Sequence, residues 1–489
     1  MQFLTQLFQF IFTPFGLAGF VGGLILIDQA RRSARLAWLL VSVCCFTASL
    51  AKFVNEFVPE PPALAFPLQQ LREAGRPLTI VLLGLVLVIA LQRQTPQYKH
   101  WLPRPILFLI LVQVVIFFKT LLFGSSLFAL LAAGTFGAVV AMIILGPARW
   151  LVDENGFSLA AWSIAMVGLV FIVANGYQAL FDLYPITFVH GLLLGTTGNP
   201  QHAATLLATT IPAFIFLFEQ QRWLWGRLFW LGSLALVISA LVMTGSRTGF
   251  LMTTVTVLLF YRHRLGSLLR IALPVGIALA ILIIVVNQTP LSDTFTLTAA
   301  TGKLLSGTNS RQAVWNILWR NFLENPLFGV PLRGDRLLGY GESSWLGAAS
   351  ALGLIGFVPL LLFGLTSLQM MAQLFLISRA SRSLFLQISM VISGLTSLLA
   401  GSFFEAYLLG NLTFSLMALL LYLALGHYII KVAQHHSIPT RPPARVQPAP
   451  WASSRSTVPM TPAALRTGRR SHSIGRTNNI RPNYRTEKS

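Results

Sequence analysis

Residues 104–146 read RPILFLILVQVVIFFKTLLFGSSLFALLAAGTFGAVVAMIILG. After Arg104 this stretch carries one charged side chain, Lys119, and no acid. A helix rises 1.5 Å per residue, so about 20 apolar residues cross a hydrocarbon core of ~30 Å. The stretch therefore holds two crossings, which we divide at 119–120. Helices are the expected spanning element because backbone groups in lipid must be paired within their own segment. The alternating pattern of an outer-membrane barrel is absent.

The same rhythm runs along the whole chain. Of 489 residues, 55% are hydrophobic and 10% charged, against roughly 25% charged in an ordinary soluble domain. Apolar runs fall near 8–27, 37–55, 77–92, 104–118, 121–146, 158–177, 202–218, 228–244, 250–261, 271–287, 346–366, 385–405 and 410–430. The expected fold is an all-α polytopic membrane protein with about 11–13 transmembrane helices. Residues 1–430 form the membrane domain, with one large external loop at 288–345. The first run lacks a basic leading region and is followed by Asp28 and Arg31, unlike a cleaved signal peptide.

Charge orients the chain. With the N-terminus outside, one side of the membrane receives loops 28–36, 93–104, 147–157, 219–227, 262–270 and 367–384 and the tail. That side holds 25 of the 35 Lys and Arg and 5 of the 14 acids, leaving 10 basic and 9 acidic residues opposite. Nearly all of the +21 excess thus lies on the side that the positive-inside rule makes cytoplasmic. Orientation accounts for the basic balance, and nucleic acid is not an expected partner.

The tail at 431–489 is rich in Pro, Ser, Thr and Arg, has no apolar period and is expected to be a disordered cytoplasmic segment. Its basic residues suit anionic lipid heads, with a docking site for cytoplasmic partners as the alternative. Cys44 and Cys45 are neighbours inside a span, where no ordinary disulfide joins them. There is no ligand cluster with metal spacing, no phosphate-binding Gly-rich loop and no Asp-x-Asp, so neither metal nor cofactor is expected.

The loop 288–345 interrupts the apolar pattern and gathers Asp293, Lys303, Arg311, Arg320, Glu324, Arg333, Asp335, Arg336 and Glu342. Asn309 to Gln312 has the spacing of a helix start, and Asn325-Pro326 reads as its end. Between them Arg311, Trp315, Leu318, Trp319 and Phe322 share one helical face, the pattern of an amphipathic helix lying in the membrane interface.

Five pieces now stand in order: GTTGNP at 195–200, SRTG at 246–249, SGTNSRQAVW at 306–315, NPLFG at 325–329 and GLIG at 353–356. Their order and placement resemble the O-antigen ligase and polymerase superfamily of bacterial envelope glycosyltransferases, over about residues 190–365. The resemblance implies a donor glycan on a polyprenyl diphosphate, bound from the membrane at the external face of the bacterial inner membrane. Sugar passes to an acceptor hydroxyl on a glycan, lipid or protein, with diphosphate leaving and no metal. A flippase and a chain-length regulator are the protein partners such a role implies.

In that family, external arginines grip the diphosphate and a residue at the end of the loop acts at the acceptor. A guanidinium suits the first task because it keeps its charge and offers a planar fork of donors to phosphate oxygens. Fixed cations also favour the transition state as charge builds on the leaving diphosphate. Arg247, in SRTG, and Arg311, at the loop helix, match those positions. A snorkelling arginine and a lipid-phosphate anchor are the respective alternatives. Arg333 and Arg336 are further substrate-binding candidates.

Eleven residues before Gly353 the ligase branch carries a histidine, and this chain carries Glu342. A carboxylate also takes a proton from a sugar hydroxyl, and an acid followed by Ser is familiar in the polymerase branch. Glu342 is thus the expected base, the alternative being a partner for Arg333 or Arg336. Asn199 and His202 lie at the external end of the span at 202–218. There Asn-Pro shapes a turn and His202 is a candidate lining residue. Glu405, at the external end of another span, joins them because an acid there must face protein or water.

Three functional classes follow: a polymerase of lipid-linked repeat units, a ligase passing the glycan to lipid or protein, and a solute transporter such as one for bicarbonate. The transporter class is weakened by the lack of a repeat between the two halves and by charges at the external edge instead of the midplane. Reporter fusions within 288–345 should read external and those after Lys431 cytoplasmic. The same side for both would overturn the topology and the site with it.

Overall fold

The computed structural model describes residues 14–50, 62–92, 102–187, 191–263, 311–331, 343–381, 383–410 and 412–437, with isolated residues between 266 and 304. The tail at 438–489 lies outside them. Fifteen α-helices and no strand occur among the described residues. They are α1 (Pro14–Arg32), α2 (Ala34–Ser49), α3 (Leu68–Glu73), α4 (Gly75–Gln92), α5 (Arg104–Phe123), α6 (Ser126–Leu145), α7 (Pro147–Trp150), α8 (Glu154–Ala179), α9 (Pro200–Gln220) and α10 (Leu224–Met243). There follow α11 (Arg247–Phe260), α12 (Gln312–Glu324), α13 (Ser344–Ala380), α14 (Phe385–Ser402) and α15 (Phe414–Ser437).

Among the described residues nine stretches are long and apolar enough to cross a membrane, with α2 and α11 as shorter apolar helices. Twelve of the thirteen apolar runs overlap a described helix; of the run at 271–287 only residues 272, 273, 276, 277, 280, 281 and 284 are described, all helical. Short polar caps set the helix starts: Ser33, Ser125, Asp153, Asn199, Ser246 and Ser343 each accept from a backbone N–H of the first turn.

Two boundaries differ from the sequence reading. The stretch 104–146 divides at Gly124-Ser125, so Lys119 lies inside α5 instead of in a turn. Its charge is accommodated by carbonyls described below. Helix α13 continues to Ala380 where a loop was expected from 367, because Ser367, Met370, Met371, Leu374 and Ser378 form a buried helical stripe.

The packing inverts the logic of a water-soluble core. Helix α9 is among the least apolar of the nine stretches and the most buried, with 89% of its spanning window inside against 33% for α5. Lipid tails are as apolar as leucine, so small and hydroxylated residues bring helices together. Thr205 and Thr209 bond back to carbonyls of their own helix at 2.8 and 2.6 Å, while the Tyr422 hydroxyl reaches the Thr209 carbonyl at 3.2 Å. Helices α8, α10, α11 and α14 surround α9.

The helix ends sort into two sets. At the basic end Tyr261 bonds Glu219 at 2.7 Å, Arg262 reaches Ser389 at 3.1 Å and Ser378 at 3.2 Å, and Ser158 meets Gln220. At the other end, the loop end, Ala65 donates to Gln178 at 2.6 Å and Leu193 to the Met243 carbonyl at 3.0 Å. Helix α12 also packs there, against α13.

Helix α13 is broken at Gly353, whose φ is +61° and ψ −160°. A Cβ at Gly353 would stand 2.4 Å from the Leu327 backbone, and one at Gly329 (φ +70°) 2.5 Å from the Ala351 backbone. NPLFG and GLIG are therefore two halves of one interlock. Its bonds are Val330 N–H to Ser350 O at 2.9 Å, Leu354 N–H to Pro326 O at 2.8 Å and Ile355 N–H to Leu327 O at 3.4 Å.

Gly353→Ala should cost about 2–4 kcal/mol, combining left-handed backbone with a clash against main chain. Gly84→Ala in α4, where a Cβ meets nothing within 4 Å, should be neutral. Thermal unfolding in detergent checks both, and equal midpoints for the two variants would remove the interlock's importance.

Candidate functional site

The described candidate residues Arg247, His202, Arg311 and Glu405 lie at the loop end. Helix α12 turns the predicted face inward: Leu318 is buried and Arg311, Trp315 and Phe322 are half-buried, while Trp319 is 51% exposed. Arg311 immediately precedes α12, and Asn309 lies outside the described residues.

The Arg311 guanidinium enters the bundle and pairs with Glu405, Nη2 to Oε1 at 3.0 Å, with their side chains 12% and 11% exposed. Nη1 donates to the Phe404 carbonyl, and the guanidinium carbon lies 5.8 Å from the Phe404 ring centre. Trp315 packs on the same ring at 5.7 Å. Its indole N–H is buried and finds no partner among the described residues.

Glu405 lies just past α14 in a turn held from α13. Ser344 Oγ donates to the Glu405 carbonyl at 2.6 Å and accepts from Leu408 N–H at 3.2 Å. Trp345 donates to Ser402 at 2.8 Å and stacks on Phe403 at 5.2 Å. The carboxylate thus sits on a braced turn.

Two close contacts fix the level of the other candidates. Gly249 of α11 meets Ala204 of α9, a Cβ there lying 2.7 Å from the alanine methyl. Both helices run inward from the loop end, so Arg247 and His202, each two residues earlier, share a depth. Met252 of α11 meets Gly401 of α14 at 2.5 Å by the same measure. Arg247 lies five helical residues, about 7.5 Å, further out from that contact, and Glu405 follows Gly401 by four residues, just past the outer end of α14. Arg247, His202, Arg311 and Glu405 therefore occupy one layer, with Arg247 and His202 exposed.

Asn199 is the N-cap of α9, its side-chain oxygen accepting from Gln201 N–H at 2.8 Å. That is the turn-shaping role of an Asn-Pro pair. Glu342, Arg333, Arg336, Asp335 and His190 lie outside the described residues. Lys303 is exposed in a short helical piece at 302–304. Among the described residues no cluster of three His, Cys, Asp or Glu could hold a metal.

Sequence reasoning passed over two side chains here. Ser344 gives no local signal, since serines are common at helix starts. Lys119 did give one, as the lone charge in a long apolar run.

Fold and site define an all-α polytopic membrane protein with a charged layer at one end of its helix bundle. Compared with known proteins, the chain matches no family model and no curated sequence.

Removing one partner of a largely buried ion pair strands the other. Arg311→Met and Glu405→Gln should each cost about 3 kcal/mol, and the double variant clearly less than the sum. Unfolding in mixed micelles measures all three. Strict additivity would mean that the pair carries no mutual energy.

Proposed function

We propose that the protein is a membrane glycosyltransferase that polymerises oligosaccharide repeat units from a polyprenyl-diphosphate carrier at the external face of a bacterial inner membrane. The observation that carries this reading is the layer shared by Arg247, Arg311, His202 and Glu405 at the end where the loop helix docks. Two arginines at the edge of the bilayer suit a diphosphate whose lipid tail stays in the membrane. Trp315 adds an unpaired indole donor beside them.

In the reaction an acceptor hydroxyl attacks the anomeric carbon of the donor. The bond from that carbon to the diphosphate oxygen breaks, the electron pair leaves with the diphosphate, and the hydroxyl proton passes to Glu342. Cations fixed before the reaction lower the barrier as negative charge gathers on the leaving group. Glu405 orients Arg311 through its 3.0 Å bond and so acts as a positioning residue.

A ligase would perform the same step on a lipid or protein acceptor. A solute transporter would use carbonyls freed at a helix break to bind a coupling ion. Here the freed carbonyls of Ser350 and Ala351 are taken by Val330 N–H and Lys119.

Glu342→Gln should leave membrane levels and donor binding unchanged and lower turnover ~10²–10⁴-fold, the range of a positioned acid–base group. Arg247→Ala should instead weaken donor binding about tenfold or more. Both are read from polymerisation of purified lipid-linked repeat units. Wild-type turnover in Glu342→Gln would remove Glu342 from the chemistry. Transfer to a lipid or protein acceptor without chain growth would favour the ligase.

A further inference from the structure

The interlock at Gly353 leaves three carbonyls converging on one point near the loop end of α5. They belong to Phe328 and Val330 of the loop and Ala351 of the broken helix, and all three accept from Lys119 Nζ, the first two at 2.6 and 2.8 Å. An ammonium has three N–H donors and no acceptor, so these three bonds use its whole capacity. The partners lie 209, 211 and 232 residues away in sequence.

Among the described residues no acidic side chain pairs with Lys119, and its charge is met by carbonyl dipoles. A charged side chain inside a span is costly unless protein groups solvate it. Carbonyls freed at a broken helix are equally costly unless something donates to them. Each defect satisfies the other. The surrounding surface is apolar, with Phe328 68% and Leu122 71% exposed, so water is a poor substitute on either side.

We propose that these three carbonyls form a binding site for a primary ammonium, filled in cis by Lys119. Its occupancy makes Lys119 a positioning residue for the segment leading into 332–342. The site stands on the contacts above. Only the catalytic consequence tested in the polymerisation assay rests on the proposed function.

Lys119→Met keeps an unbranched side chain and loses all three donors. Amide hydrogen exchange at Val330, Leu354 and Ile355, measured on the full chain in nanodiscs, should speed up at least tenfold. Lys119→Ala should behave alike, and millimolar n-propylammonium, the fragment removed, should restore slow exchange. Tetramethylammonium, a cation without N–H donors, should not. Lys119→Arg, which keeps a donor-bearing cation, should stay within about threefold of the wild type.

Exchange in Lys119→Met at the wild-type rate, or equal effects of the two ammonium ions, would overturn the site. The wild-type protein provides a test without any variant, since Lys119 should resist reductive methylation while exposed Lys431 reacts. Equal rates for the two lysines would also overturn it. In the polymerisation assay Lys119→Ala should lose kcat about tenfold with donor KM unchanged, and n-propylammonium should restore it. A wild-type protein that polymerises nothing would sink the proposed function, while the exchange result would still decide the site.

Discussion

A bilayer offers no water to a broken helix, so each backbone N–H and C=O that α13 releases at Gly353 must find a protein partner. The loop segment 325–330 enters the break and supplies most of them, donating from Val330 and accepting at Pro326 and Leu327. Two glycines let the main chains approach where any Cβ would collide. The carbonyls left over point to α5, where Lys119 closes the set. One constraint thus explains a glycine in left-handed conformation, a loop motif and a lysine within a span. Each of the three satisfies groups that the other two leave open.

That interlock is one of two anchors on the loop helix. The other lies at its start, where Arg311 enters the bundle and meets Glu405 and the Phe404 carbonyl. Between the anchors α12 keeps Leu318 inward and leaves Ile317, Trp319 and Leu323 exposed. This suits a helix seated at the membrane interface with its charged end braced against protein. A guanidinium held by a carboxylate has its direction set before any ligand arrives. Such preorganisation lets a cation stabilise developing charge without reorganising at the moment of reaction.

The bundle behind the site holds these ends in register. Helix α9 lies at its centre, and its alanines and threonines allow the close approach of α11 through Gly249 and of α8 through Gly168. The same packing places His202 and Arg247 at one depth. Met252 against Gly401 sets α14, and therefore Glu405, beside them. Small residues act here as polar residues do in water: they decide which helices are neighbours.

Much of this was legible in sequence because it is local. Run length marked the spans, since each helix must cross the same thickness of hydrocarbon. Charge division grouped the helix ends that the structure also groups, and spacing of three and four marked the inward face of α12. Local pattern also accounts for the failure at Lys119, since a charge in an apolar run reads as a turn when its solvating carbonyls are more than two hundred residues away. Which acid meets Arg311 was not legible either, because Glu405 stands 94 residues along the chain and several acids compete equally in sequence. Tertiary structure decided the pairings, the break in α13 and the shared layer of Arg247, His202, Arg311 and Glu405. Such partners are chosen by proximity and by the need to satisfy buried polar groups, and neither is encoded in neighbouring residues.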